Sequence, residues 1–209
     1  MNRPDYAIAG ARPRREFWCD RRLVLAILAS ALFPSSAARA HPQRGQPTEY
    51  QLKAAFLFNF AKFIDWPDKS FATSQSPFSV CVIGQDPFGQ SLEESLAGKI
   101  VANHPVTVER FPNSRNAIDA QHCQIAFISS SEKPRVRDVI ETFKGDSVLL
   151  VGDIEGFASS GGAIEFFVQD DRIHFAINPE AADRAELRVS SKLLALAKIV
   201  HDDPAKGRS

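Results

Sequence analysis

Residues 125–151, IAFISSSEKPRVRDVIETFKGDSVLLV, decide the fold. Two short apolar runs, 125–128 (IAFI) and 147–151 (SVLLV), read as core strands, and the segment between them, 133–143, reads as a helix. A strand, a helix and a second strand in that order imply a right-handed crossover and a parallel sheet. Working upstream, residues 78–84 (FSVCVIG) repeat the buried-strand pattern, and a short helix follows, ending near residue 96. Residues 105–111 (PVTVERF) alternate and begin with proline, which suits an edge strand. Downstream, 163–168 and 172–177 are strands joined by Gln169, Asp170 and Asp171, a hairpin signal. Asn178-Pro179 stops the second of them, residues 180–187 are helical, and Leu193, Leu194, Leu196, Ala197 and Val200 form a last apolar helical face.

The first element is a helix over 49–64. Leu52, Ala55, Phe56, Asn59, Phe60 and Phe63 recur at helical spacing and define the face expected to pack on the sheet. Leu57, Phe58 and Ile64 widen that face beyond half the girth of the helix. Thr48 caps its start, and Asp65-Trp66-Pro67 ends it, because proline disfavours helix in the residue before it. The expected architecture is α/β: a single three-layer domain over 49–201. Its mixed sheet has about six strands, parallel at the core, with an antiparallel C-terminal hairpin.

Ahead of this domain, residues 1–40 have the grammar of a cleaved export signal. Arg12, Arg14, Arg15, Arg21 and Arg22 precede an uncharged run, 23–33 (LVLAILASALF), and Ala38-Arg39-Ala40 offers small residues at both cleavage subsites. The run has 11 residues, short of the roughly 20 that a spanning helix needs. Residues 20–25 also resemble a twin-arginine signal, so both export routes stay open. Cleavage after Ala40 leaves 169 residues, enough for one domain with a real core. Flexible tails are expected at 41–48 and 202–209. The mature chain carries 18 basic and 22 acidic residues, a net −4, so a basic nucleic-acid footprint is absent.

Of three cysteines, Cys19 leaves with the leader and Cys81 and Cys123 remain. An even count in an oxidising compartment reads as one disulfide. Two buried free thiols are the alternative, since a sequence does not supply the geometry. No Gly-x-Ser-x-Gly elbow is present, and His104, His122, His174 and His201 show no zinc-helix spacing. His122 adjoins Cys123, but a disulfide removes that sulfur as a ligand. The best-placed pocket is the loop from Gly84 to Gly89 after a core strand, with Gln85, Asp86 and Phe88, together with Asp153 at the end of another. A tight turn held by the two glycines explains that loop equally well, and no phosphate-binding spacing completes it. No metal, cofactor or catalytic residue is assigned. On the first helix, Leu57, Phe58 and Trp66 are expected to face a partner, unless Leu193, Leu194 and Leu196 of the last helix cover them within the monomer.

Residues 50–67 (YQLKAAFLFNFAKFIDWP) resemble the opening signature of the YfiR family. The resemblance continues through 81–84 (CVIG), 86–89 (DPFG), 123–129 (CQIAFIS) and 148–153 (VLLVGD). It closes with 161–164 (GGAI), 175–178 (FAIN) and 190–197 (SSKLLALA). It implies a periplasmic, non-enzymatic regulator that restrains a membrane-bound diguanylate cyclase by binding its periplasmic sensor region, lowering cyclic-di-GMP and biofilm behaviour. It also implies a homodimer and places the family cysteine pair on Cys81 and Cys123. Two positions depart from the family pattern: Asn103-His104-Pro105 stands where Gly-Arg-Pro is usual, and His174 where arginine is frequent. A small-molecule-binding periplasmic module serving a sensor kinase or transporter is the alternative reading.

Overall fold

The computed structural model describes residues 48–203. The expected leader over 1–40, its cleavage position, residues 41–47 and residues 204–209 lie outside the described residues. In chain order the elements are α1 (Glu49–Phe63), β1 (Ile64–Asp65), β2 (Phe78–Ile83), α2 (Ser91–Leu96), β3 (Ile100–Val101), β4 (His104–Phe111), β5 (Ile125–Ile128), α3 (Val136–Thr142) and β6 (Leu149–Gly152). They continue with β7 (Ile164–Gln169), β8 (Arg172–Ile177), α4 (Pro179–Arg184), β9 (Arg188–Val189), α5 (Ser191–Leu194) and β10 (Lys198–Ile199).

Eight strands form one sheet in the order β10-β8-β7-β6-β5-β2-β4-β3. From β4 to β7 all neighbours are parallel, and β7 and β8 form the antiparallel hairpin. The centre alternates strictly between two apolar layers. Val80, Val82, Ile125, Phe127, Leu149 and Val151 face one, while Cys81, Ile83, Ala126, Ile128 and Leu150 face the other. Burial on both faces is why these strands read as continuous apolar runs. Helices α1 and α2 pack on the first layer, α3 on the second. This is the expected mixed α/β architecture, with more strands than the expected six. The extra ones, β3 and β10 in the sheet and the separate β1–β9 ribbon, are two residues each, too short to leave a periodicity.

Several boundaries differ from expectation for local reasons. Pro134 sits in a 3-10 turn over Ser130–Arg135, so α3 starts only at Val136. Asn178 and Pro179 do end β8, and they also begin α4. The Asn178 side chain accepts from the Ala181 N–H and proline occupies the first turn, where its missing N–H costs nothing. The expected last helix is one turn long, and the chain then extends into β10 beside β8. Asp202, the first residue of the expected C-terminal tail, accepts from Asn178 and Arg184.

The largest correction concerns α1. Thr48 and Gln51 form a reciprocal capping box at its start, but the buried face is Lys53, Ala54, Leu57, Phe60 and Ala61. Leu52 and Phe63, expected inside, are 39% and 38% exposed. The helix is turned by about a third of a turn from the expected orientation. Leu57, expected at a partner surface, is fully buried with Leu92 and Leu96 of α2. Phe58 is half-buried, its ring flanked by the ammonium groups of Lys62 and Lys99 at 5.5 and 5.3 Å. Trp66 is also half-buried. It donates to the Ala61 carbonyl at 3.0 Å and meets Phe78 edge-on. Leu57 therefore faces the core and not a partner, while Phe58 and Trp66 keep part of their rings at the surface. The outward stripe is Leu52, Ala55, Asn59 and Phe63, while Phe56 leans inward on Phe166 and Phe175.

Candidate functional site

The carboxyl ends of the parallel strands, where open α/β sheets usually bind ligands, are closed by the protein's own side chains. At the end of β6, Asp153 accepts from Lys53 at 2.8 Å and from the Tyr50 hydroxyl at 2.9 Å, both through Oδ2. The Lys53 and Asp153 side chains are only 4% and 7% exposed, and Glu49 gives Lys53 a second partner at 2.6 Å. Burial opposes the lysine charge, but hydrogen bonds to Asp153 and Glu49 outweigh it and hold the ammonium above its ordinary value. Burial and then the Asp153 charge push the Tyr50 hydroxyl up. Asp153 Oδ1 is buried without a partner among the described residues.

Beside this anchor, the loop after β2 is held by Arg110 of β4. Its guanidinium donates to Asp86 Oδ2 at 2.7 Å, to the Gly89 carbonyl at 2.9 Å and to both oxygens of Glu93. The Glu93 hydrogen bond first, and Asp86 next, raise the arginine further above its ordinary value. In return Arg110 holds Glu93 below the usual carboxylate range. Asp86 Oδ1 accepts from the Phe88 N–H, the Gln85 N–H donates to Ser131, and Phe88 is buried between Tyr50 and Phe127. Gly84 has φ +97°, and a Cβ there would lie 2.5 Å from Ser131 Oγ. Its N–H donates to the Phe111 carbonyl. Of the four residues expected to line a pocket, the side chains of Asp86, Phe88 and Asp153 are engaged inside the protein, while Gln85 is tied only through its backbone N–H and its side chain stays exposed. Asp86 and Asp153 belong to two separate networks, bridged by the ring of Phe88 against Tyr50.

The amino ends of the same strands differ. A surface cleft of about 420 Å³ opens there, lined by Ser70, Ser79, Gln124, Asp146 and Ser147 and reaching Glu109, His122 and Cys123. Gln124 organises its wall. Its side chain accepts from the Ser79 N–H at 2.7 Å and donates to the Ser70 and His122 carbonyls. Ser70 Oγ, Asp146 Oδ2 and Ser147 Oγ are buried without a partner among the described residues. Cys81 and Cys123 form the expected disulfide, with Cα atoms 6.1 Å apart. No sequence motif marks this end, because these residues sit in separate loops; the adjacency of His122 and Cys123 is the one local signal.

The two histidines at departing positions have structural partners. His104 stacks on Phe71 at 3.8 Å and contacts the Ser76 carbonyl through Nδ1, and His174 stacks on Phe167. Among the described residues no helix is long and apolar enough to cross a membrane.

Residues 50–198 match the family profile described as YfiR/HmsC-like. No curated protein matches the chain. Among solved structures, a conserved domain protein from Vibrio cholerae O1 biovar El Tor aligns with TM-score 0.51 and 10% identity, over 73% of this chain and 60% of that one. An ABC domain in complex with L-Trp from Streptococcus pneumonia aligns with TM-score 0.43 and 8% identity, over 58% and 55%. The chain therefore spans less than two thirds of either structure, and the first likeness is one of fold.

Proposed function

The chain belongs to the YfiR/HmsC-like family, and from that premise we propose that it is an exported regulatory protein restraining an inner-membrane diguanylate cyclase through its periplasmic sensor region. The observation that carries this reading is the extent of the family match, which takes in nearly the whole described chain from α1 to β10. The export grammar of residues 1–40 and the Cys81–Cys123 disulfide support a periplasmic location. On this reading the mature chain begins at His41, which intact mass of the periplasmic protein checks.

The partner surface we assign is the outward stripe of α1, Leu52 and Phe63, in place of Leu57 and Phe58. The same stripe serves a second copy of the chain if the protein dimerises. Deleting the gene should raise cellular cyclic-di-GMP, and the tagged protein should retain a membrane-bound diguanylate cyclase on affinity capture. Phe63→Asp should abolish that retention with little change in melting temperature. Unchanged cyclic-di-GMP together with no captured cyclase would sink the reading.

One observation favours the second reading, a small-molecule module. The cleft beside the disulfide is lined by Ser70, Asp146 and Ser147, each with a buried polar atom that has no partner among the described residues, whereas the loop from Gly84 to Gly89 is held by Arg110. A rise in melting temperature with a small polar metabolite, lost in a Ser147→Leu variant, is the corresponding test.

A further inference from the structure

We propose that the reduced form of this protein holds a divalent d¹⁰ metal ion such as Zn²⁺ between Cys81, Cys123, His122 and Glu109. The sheet brings these residues together from three separate stretches of chain. Cys81 on β2 and Glu109 on β4 are direct register partners, so their side chains leave the same face. Cys123 lies just before β5, on the other side of β2, bonded to Cys81. His122 Nε2 stands 3.9 Å from Cys123 Sγ and 3.0 Å from Glu109 Oε1. The ligand atoms of Cys81, His122 and Cys123 all lie within 4.8 Å of one another.

The tautomer of His122 makes the case specific. Nδ1 lies 2.8 Å from the Asp119 carbonyl, an acceptor only, so Nδ1 carries the hydrogen. In neutral imidazole Nε2 then aims a lone pair at a carboxylate oxygen, two acceptors face to face. That contact calls for a cation between them, either a proton on Nε2 or a metal ion. A carbonyl bound to the far ring nitrogen is also the usual way a ligating histidine is oriented. The imidazole and carboxylate are 53% and 39% exposed while the sulfurs belong to buried residues, and the cleft reaching Glu109, His122 and Cys123 gives an entry path from solvent.

In the oxidised protein both sulfurs are consumed by their mutual bond. A dithiol reductant transfers two electrons and two protons to that bond, becoming a cyclic disulfide and leaving two cysteine thiols. The freed sulfurs separate to non-bonded contact, close to the roughly 3.8 Å between two thiolates on tetrahedral zinc with bonds of about 2.3 Å. Metal binding then releases the two thiol protons, and His122 and Glu109 complete a four-ligand set.

The test uses the purified protein, reduced with a dithiol and desalted without oxygen, then titrated with Cd²⁺ as a spectroscopic probe and with Zn²⁺ against a chromogenic chelator. The expected result is a thiolate-to-cadmium charge-transfer band saturating at one equivalent, absent from the oxidised protein. Zn²⁺ affinity should fall at least about tenfold in His122→Ala and in Glu109→Gln, both of which keep the disulfide. No band, or His122→Ala binding as tightly as the parent, would overturn the proposal. If reduction unfolds the chain, one equivalent of Zn²⁺ should restore its circular dichroism, and failure to do so overturns it equally.

Discussion

At the carboxyl ends of the parallel strands, Asp153 accepts from Lys53 and Tyr50, and Arg110 closes on Asp86, Gly89 and Glu93. At the amino ends of the same strands, Ser70, Asp146 and Ser147 line a cleft beside the disulfide and each keeps a buried polar atom without a partner among the described residues. Strand direction alone locates a pocket at the carboxyl ends. Most of the unpartnered polar atoms lie at the other end. Charge that is buried and matched fastens one element to another, as Lys53 fastens α1 to β6. Buried polar atoms left over are ones that an ordered water, an ion or a bound group would satisfy. The single exception at the closed end, Asp153 Oδ1, sits within the anchor itself.

The contrast can be broken most directly at the anchor. Asp153→Ala leaves Lys53 buried with only Glu49 beside it and should cost about 3 kcal/mol or more in urea unfolding. Changing both residues, Lys53→Met with Asp153→Ala, should recover most of that loss, because no charge is then stranded. A single variant costing under about 1 kcal/mol would mean that the closed end is not held by this pair. At the open end, removing the disulfide as Cys81→Ala with Cys123→Ala should cost up to about 4 kcal/mol through the chain entropy of the loop, the cysteines being 42 positions apart. Unfolding by denaturant, with an unchanged native spectrum, measures it.

Acid sharpens the comparison on a smaller scale. Glu93 titrates below its ordinary value because Arg110 hydrogen-bonds to it, so its contribution is complete above the ordinary glutamate range. It is lost as the pH falls through the lowered value. Glu93 is about half exposed, which limits the effect to roughly 0.5 kcal/mol after solvent screening. The parent should lose that much more stability on acidification than Arg110→Met does, read from melting temperatures across the acid range. A further small effect should have the opposite sign. Ser147→Ala removes a buried hydroxyl without a partner and should leave stability unchanged or raise it by up to about 1 kcal/mol, seen as a small rise in melting temperature.

Much of the fold was legible from residues whose surroundings are uniform. The runs at 78–84, 125–128 and 147–151 are apolar on both sides, so their place at the centre of a parallel sheet could be read directly. Gln169, Asp170 and Asp171 marked the hairpin for an equally local reason, since Asp170 and Asp171 take the left-handed backbone a tight turn needs. The orientation of α1 was not legible. Lys53 looks like a solvent residue, and turning it outward selects Leu52, Phe56 and Phe63 as the inner stripe. Its partner 100 positions away, together with Glu49 one turn before it, makes the inward orientation affordable. The cleft was hidden for the same reason. Ser70, Gln124 and Ser147 belong to three loops, and nothing in any one of them announces the others.

The reach of the α1 contacts has a consequence for how the chain matures. Synthesis proceeds from the N-terminus, so α1 exists before any strand it packs on. Its lysine waits for Asp153, 100 residues later, and the ribbon at its exit waits for Arg188 and Val189. Contacts so distant in sequence form late and slow the approach to the native state. Until then a helix that is apolar over more than half its girth, with its lysine matched only by Glu49, is open to other partners, including a second unfinished chain. The stretch of sequence most diagnostic of this protein is also the part that the nascent chain leaves unguarded longest.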